Sequence, residues 1–217
     1  KEVLHELDYL MRMLRGNDTP LAAATLKRIL TILKTLVAQI DVLETMTPLN
    51  FLTFRDRLES GSGFQSHQFR AMEFALGKKG RPSFERYPEG SPQRKTVEER
   101  FAQPTLWDAF LHYLKGNGYK VPEDQLRRDV TLPLEPSPEV QKILIDVYRK
   151  NPTVASIAER LVDLDEGFME WRYRHVKMVQ RTIGTKMGTG GSAGAEYLMK
   201  TLNQPAFPDL WAIRSEL

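Results

Sequence analysis

A histidine on the apolar face of a long helix, followed by a loop dense in glycine, is the part of this chain best equipped for chemistry. In the run HVKMVQRTIGTKMGTGGSAG, His175 to Gly194, a helix gives way to a loop holding Gly184, Gly188, Gly190, Gly191 and Gly194. Upstream, Leu161, Leu164, Phe168, Trp171, His175 and Met178 recur at steps of three and four, the spacing of one helical face. His175 therefore points where the chain buries apolar groups. On spacing alone, a core histidine whose ring nitrogens find partners fits better than a metal ligand. The loop alters that balance. Glycines at this density let a backbone take positive φ and come close to a ligand, and Thr189 and Ser192 add hydroxyls there. A buried imidazole beside a Gly/Thr/Ser loop points to a cofactor with a small polar molecule next to it.

A second stretch, FLTFRDRLESGSGFQSHQFR at 51–70, sets Phe51 and Arg55 four residues apart on one helical face. An arginine on a largely apolar face needs an anion, because an unpaired buried charge is costly. Taken alone, a salt bridge to Asp56, Glu59 or an acid elsewhere meets that need better than a ligand does. Ser60-Gly61-Ser62-Gly63 is a flexible turn that would suit any linker. His67, His5 and His112 fit helix-surface or supporting positions better than iron or metal ligation.

These two stretches carry a resemblance to the tryptophan 2,3-dioxygenase family. HVKMVQRTIGTKMGTGGSAG resembles its haem-ligand region, and FLTFRDRLESGSGFQSHQFR matches in the right order upstream. The resemblance runs nearly end to end and is weakest at about 78–135. It implies an all-α protein, a bundle of long helices enclosing a b-type haem, with His175 as the proximal iron ligand. The substrates it implies are L-tryptophan and dioxygen, with both oxygen atoms inserted across the indole C2–C3 bond to give N-formylkynurenine. Arg55 matches the position that clamps the substrate carboxylate, and Phe51 matches part of the indole pocket. Some members carry tyrosine there, so this chain offers only apolar contact. Thr189, within an intact Gly188–Ser192 GTGGS segment, matches the group that meets the amino-acid end of the substrate. Ser62 and Gly190 match the haem edge and the substrate pocket. A homotetramer is also implied. The family pattern places a phenylalanine and a distal histidine before the position of Lys1, so a longer protein is expected, and the chain without that segment is expected to turn over poorly. Two other readings remain: a related haem enzyme for another indole or aromatic amino acid, and a haem-binding or purely helical interaction protein without turnover.

Composition narrows the classes. The 217 residues suit one domain with a sizeable core. With 41% hydrophobic and 27% charged residues, the chain is neither disordered nor membranous. Apolar runs are broken by Lys27, Arg28 and Lys34, well short of a span. A net charge of +3, mixed evenly with acids, gives no footprint for nucleic acid. The absence of cysteine excludes disulfides, thiolate zinc or haem ligands, iron–sulfur clusters and covalent c-type haem attachment. A haem here must be non-covalent and held by histidine. No signal peptide is visible, so the cytoplasm is the expected location.

The elements that must position these residues follow from periodicity and caps. A helix to about residue 15 is already under way at Lys1 and stops at Gly16-Asn17-Asp18. Thr19 and Pro20 start a longer one, whose apolar face runs through Leu26, Ile29, Leu30, Leu33, Leu36, Val37, Ile40 and Leu43. Thr47-Pro48 starts a helix to about Leu58. Another runs to about Leu76. Residues 77–87 predict a surface loop, 95–116 two short helices split by Pro104, and 119–137 an extended connection, together the region of a less certain accessory helical insertion. Pro138–Lys150 and about Val154–Ile183 are helices, the second bearing His175. Its acids Glu159, Asp163, Asp165 and Glu166 precede its bases Arg172, Arg174, Lys177 and Arg181, which suits the helix dipole, haem propionates or a solvated face. Helix is expected again over 195–202 and over about 208–214.

Overall fold

The computed structural model describes residues 1–58, 65–80, 84–186, 188, 199, 202 and 204–217. Among these no strand occurs, and the all-α expectation holds. The α-helices are α1 (Glu2–Arg15), α2 (Thr19–Glu44), α3 (Pro48–Arg55), α4 (His67–Ala75), α5 (Pro92–Ala102), α6 (Leu106–Gly116), α7 (Glu123–Leu126), α8 (Pro138–Lys150), α9 (Pro152–Ile183) and α10 (Pro208–Ala212). Short 3-10 turns follow α3 and α10 and precede α5. The helix expected over 195–202 lies almost wholly outside the described residues.

Backbone contacts divide the chain into two compact units. Unit 1 comprises Lys1–Leu30, His67–Asp165 and Pro205–Leu217, and unit 2 comprises Thr31–Ser66 and Glu166–Gln204. The chain passes from unit 1 into unit 2 within α2 and again within α9.

In unit 1, α1 packs on α6 and α4 on α5. Leu7, Leu10 and Leu14 of α1 and Phe110, Leu111 and Leu114 of α6 have no exposed surface. Trp107 lies against Phe110 at 5.5 Å and stacks on Phe207 at 5.8 Å, which brings the C-terminal segment into the same core. Helix starts are held by side chains that satisfy amides with no partner inside the helix. Asp18, and not Thr19, caps α2 by accepting from the Leu21 N–H at 3.1 Å. The Thr19 hydroxyl is instead bonded to the Tyr113 hydroxyl at 2.7 Å. Asn151 accepts from the Val154 N–H at 3.2 Å, so α9 begins at Pro152, two residues before its periodicity becomes legible.

The surface loop that composition suggested for 77–87 fails at Lys79 and Tyr87. Lys79 is 2% exposed and Tyr87 is buried. The Lys79 ammonium donates to the carbonyl oxygens of Arg100 at 3.0 Å, Phe101 at 2.6 Å and Gln103 at 2.9 Å, closing the C-terminal end of α5. Its charge also sits over the rings of Phe74 and Phe101, 5.7 and 5.4 Å from their centroids. Burial pushes its pKa down to about 8, against the pull of Asp108. A lysine-rich stretch was read as solvated because the three carbonyls that accept from Lys79 lie more than twenty positions away. Downstream, Arg128 forms a two-pronged contact with Asp108 at 2.7 and 2.9 Å, tying the connection 119–137 to α6.

In unit 2, Leu33 and Ile40 of α2 and Phe168 and Val176 of α9 are buried. Gly167 lets α9 accommodate Leu33: a Cβ there would stand 2.8 Å from Leu33 Cδ2. Arg174 pairs with Asp41 and with Glu44 of α2. The apolar face of α2 changes character along its length. Leu26 and Ile29 are fully buried, whereas Val42 is 69% and Leu43 48% exposed.

Two substitutions test the closure of unit 1. Lys79→Met keeps the stem and leaves three carbonyls without their donor. It should cost about 1–3 kcal/mol, a Tm fall of about 2–4 °C per kcal/mol, measured by calorimetry. Gly77 ends α4 at φ +92°, where a Cβ would meet Leu134 Cδ1 at 2.8 Å. Gly77→Ala should therefore destabilise by about 1 kcal/mol or more, in contrast to the gain that this change gives inside a helix.

Candidate functional site

The residues singled out in sequence and lying within the described structure, Phe51, Arg55 and His175, all belong to unit 2. Thr189, Gly190 and Ser62 lie outside the described residues, as does Ser192.

Helix α3 carries Phe51 and Arg55. Its start is built as its Thr-Pro signal requires. The Thr47 hydroxyl accepts from the Asn50 N–H at 3.2 Å and the Asn50 side chain accepts from the Thr47 N–H at 3.2 Å. Phe51 meets Phe54 edge to face, with ring centroids 5.3 Å apart. No residue of α3 is buried, so Arg55 is half-exposed and not the buried charge its apolar neighbours suggested. Leu49 and Leu52 on the same helix are 75% and 43% exposed. The helix is short and its hydrophobic side chains outnumber what this chain covers.

Helix α9 carries His175. The stripe that leads to it is fully buried at Leu161, remains buried at Leu164 and Phe168, and is half-buried at Trp171, His175 and Met178. The imidazole lies parallel to the Trp171 indole, with centroids 5.2 Å apart and 4° between the planes. Trp171 in turn stacks on Phe168 at 6.5 Å. Burial is the one cause acting on the His175 pKa, and it lowers it. The ring is therefore neutral at pH 7, the protonation state a metal requires of an imidazole ligand. No hydrogen bond to either ring nitrogen occurs among the described residues. A neutral, oriented imidazole with open nitrogens has the donor chemistry that haem iron takes from a proximal histidine. Groups of three or more potential metal-binding side chains are absent among the described residues. His112 donates its Nδ1–H to the Asp108 carbonyl oxygen at 2.9 Å.

The bases around His175 divide in a way the sequence left open. Arg174 is held by acids of α2, which raises its pKa and accounts for its charge within unit 2. Arg172 is 8% exposed with its guanidinium 4.8 Å over the Phe168 ring, so it is not part of a solvated face. Lys177 lies over Tyr173 at 5.7 Å. The stacked Trp171–His175 pair was visible in sequence only as two members of one stripe. An aromatic four residues before a histidine on a helix is the signal that could have found it.

Comparison with known proteins extends this picture over the whole length. The family model for tryptophan 2,3-dioxygenase matches residues 1–114 and 138–217, leaving 115–137 unmatched. A protein from Herpetosiphon aurantiacus named tryptophan 2,3-dioxygenase is 61% identical over all of this chain and 83% of its own length. Proteins of the same name from Anaeromyxobacter sp. (strain K) and Caulobacter vibrioides are 53% and 39% identical, again over all of this chain and 82% and 84% of their own lengths. Likeness of this degree, sustained through scaffold and site segments alike, is shared ancestry: the chain belongs to the tryptophan 2,3-dioxygenase family.

Proposed function

We propose that this protein is a haem-dependent dioxygenase that opens the indole ring of L-tryptophan, inserting both atoms of dioxygen across C2–C3 to give N-formylkynurenine. The observation that carries the haem part of this reading is His175: a neutral imidazole, stacked on Trp171, with no hydrogen-bond partner among the described residues. Haem b bound there would supply the iron chemistry that activates dioxygen. The chain's own residues do the rest. Trp171 fixes the plane of the imidazole. Arg55 presents a planar guanidinium that can take the substrate carboxylate in two parallel hydrogen bonds, which a lysine cannot do. Phe51, without a phenolic hydroxyl, gives the indole an apolar wall. Thr189 takes the amino-acid end through its hydroxyl or backbone, with Ser62 and Gly190 lining the pocket and haem edge. These assignments follow the family motifs residue by residue.

The assembly we infer is a cytoplasmic homotetramer, with both units acting as parts of one catalytic domain. In its support, Val42, Leu43, Leu49, Leu52 and Leu58 of unit 2 are each at least 40% exposed in the single chain, an apolar area that haem, substrate and neighbouring copies would cover. No helix among the described residues is long and apolar enough to cross a membrane.

Product analysis tests the reaction directly. L-Tryptophan, dioxygen and the reduced haem protein should yield N-formylkynurenine with both added oxygens from 18O2, and a different product would refute it. His175→Ala should abolish stable haem binding, because no cysteine is present to substitute. A variant with a full Soret band and unchanged ligand spectra would remove His175 from the site. Arg55→Ala should leave haem intact and weaken tryptophan binding by about 1.5–3 kcal/mol, roughly ten- to hundredfold, while Arg55→Lys recovers part of it. Tryptamine, which lacks the carboxylate, should bind both proteins alike. An equal loss for tryptamine would make Arg55 a scaffold residue.

A further inference from the structure

The last torsion of a histidine side chain joins a tetrahedral carbon to a planar ring and has broad minima. An imidazole on a helix therefore swings unless a neighbour confines it. Helical side chains lean back over the preceding turn, and this brings the His175 ring to Trp171, four residues earlier. The two rings lie 4° from parallel with centroids 5.2 Å apart, within the range favoured by offset stacks. Trp171 is seated in turn. Its indole stacks on Phe168 at 6.5 Å with 15° between the planes. Phe168 is buried, and the Arg172 guanidinium stands 4.8 Å over its ring.

Flat rings thus follow one another along one face of α9, from a buried phenylalanine to a half-buried imidazole. All of them belong to unit 2. Earlier on the same stripe, Leu161 and Leu164 bury apolar surface without presenting a plane. Where the stripe approaches His175 it changes to aromatic residues.

We propose that Trp171 is a positioning residue for the iron ligand: its indole, seated on Phe168, sets the plane of the His175 imidazole before haem arrives and keeps it there afterwards. The proposal rests on the reading of His175 as the proximal ligand. A ligand histidine is commonly oriented by a hydrogen bond at its second ring nitrogen. A stacked face supplies orientation by shape instead. A ring already confined gives up less freedom when iron fixes it, so haem is held more tightly. The plane of an axial imidazole also sets the in-plane asymmetry at a low-spin ferric iron, and the haem methyl proton shifts of the cyanide complex report it.

The test compares the haem-loaded wild type with Trp171→Phe and Trp171→Leu. Both variants shorten an apolar side chain, and only phenylalanine keeps a flat face. Readouts are the haem methyl proton shifts of the ferric cyanide complex, the rate of haem loss to excess apomyoglobin, and Tm. Trp171→Phe should keep the wild-type spread of methyl shifts and lose haem within about twofold of the wild-type rate. Trp171→Leu should change that spread or double the signals, and lose haem about three- to tenfold faster, the reach of one aromatic pair. A Trp171→Leu protein that matches wild type in both overturns the proposal. So do equal changes in the phenylalanine and leucine variants, which would make Trp171 a filler of space. Should Trp171→Leu fail to fold, Phe168→Leu decides, because it keeps the indole and removes its seat. It should move the methyl shifts the same way by less, and an unchanged pattern counts against. A His175→Ala protein with a full Soret band would instead refute the underlying ligand assignment, a result read without any variant at 171.

Discussion

A carboxylate withdrawn from water must be given donors or lose its charge, and the way Asp165 meets that demand shapes much of this protein. Its partners are two backbone amides and an indole from a single segment, so satisfying the charge also fixes where the chain returns after 166–204. Charge-assisted hydrogen bonds of this kind are stronger than neutral ones and more costly to leave unmade. The same helix then carries Phe168, Trp171 and His175.

Unit 1 uses the same device elsewhere. Lys79 is buried against three carbonyls at the end of α5, and Asp108 both accepts from the N–H of Thr105, the cap of α6, and pairs with Arg128. In each case a charged side chain is matched to backbone groups left open by a helix end or loop. The polar groups are spent on joining segments distant in sequence, and the apolar side chains between them are almost wholly covered.

Unit 2 differs. Its helix starts and ion pairs are well formed, yet large apolar side chains of α2 and α3 stay exposed, and burial lowers the His175 pKa.

By itself the sequence determined the helical class, most helix positions and the residues worth testing. Those features are local. Apolar steps of three and four and the Thr47-Pro48 signal each need only a few neighbours to be read, and α3 and the stripe of α9 formed as that pattern required. Two motifs also sufficed for the family resemblance, which the comparisons bear out. The tertiary structure alone decided which charges are buried and what satisfies them. Lys79 was placed on a surface loop and Asp165 on a dipole-matching acidic face because their partners lie some twenty and forty positions away, beyond any local period. It likewise left Arg55 half-exposed on an unburied α3 and stacked Trp171 on His175. Periodicity says which side of a helix is apolar. What comes to lie against that side depends on contacts between segments far apart in the chain.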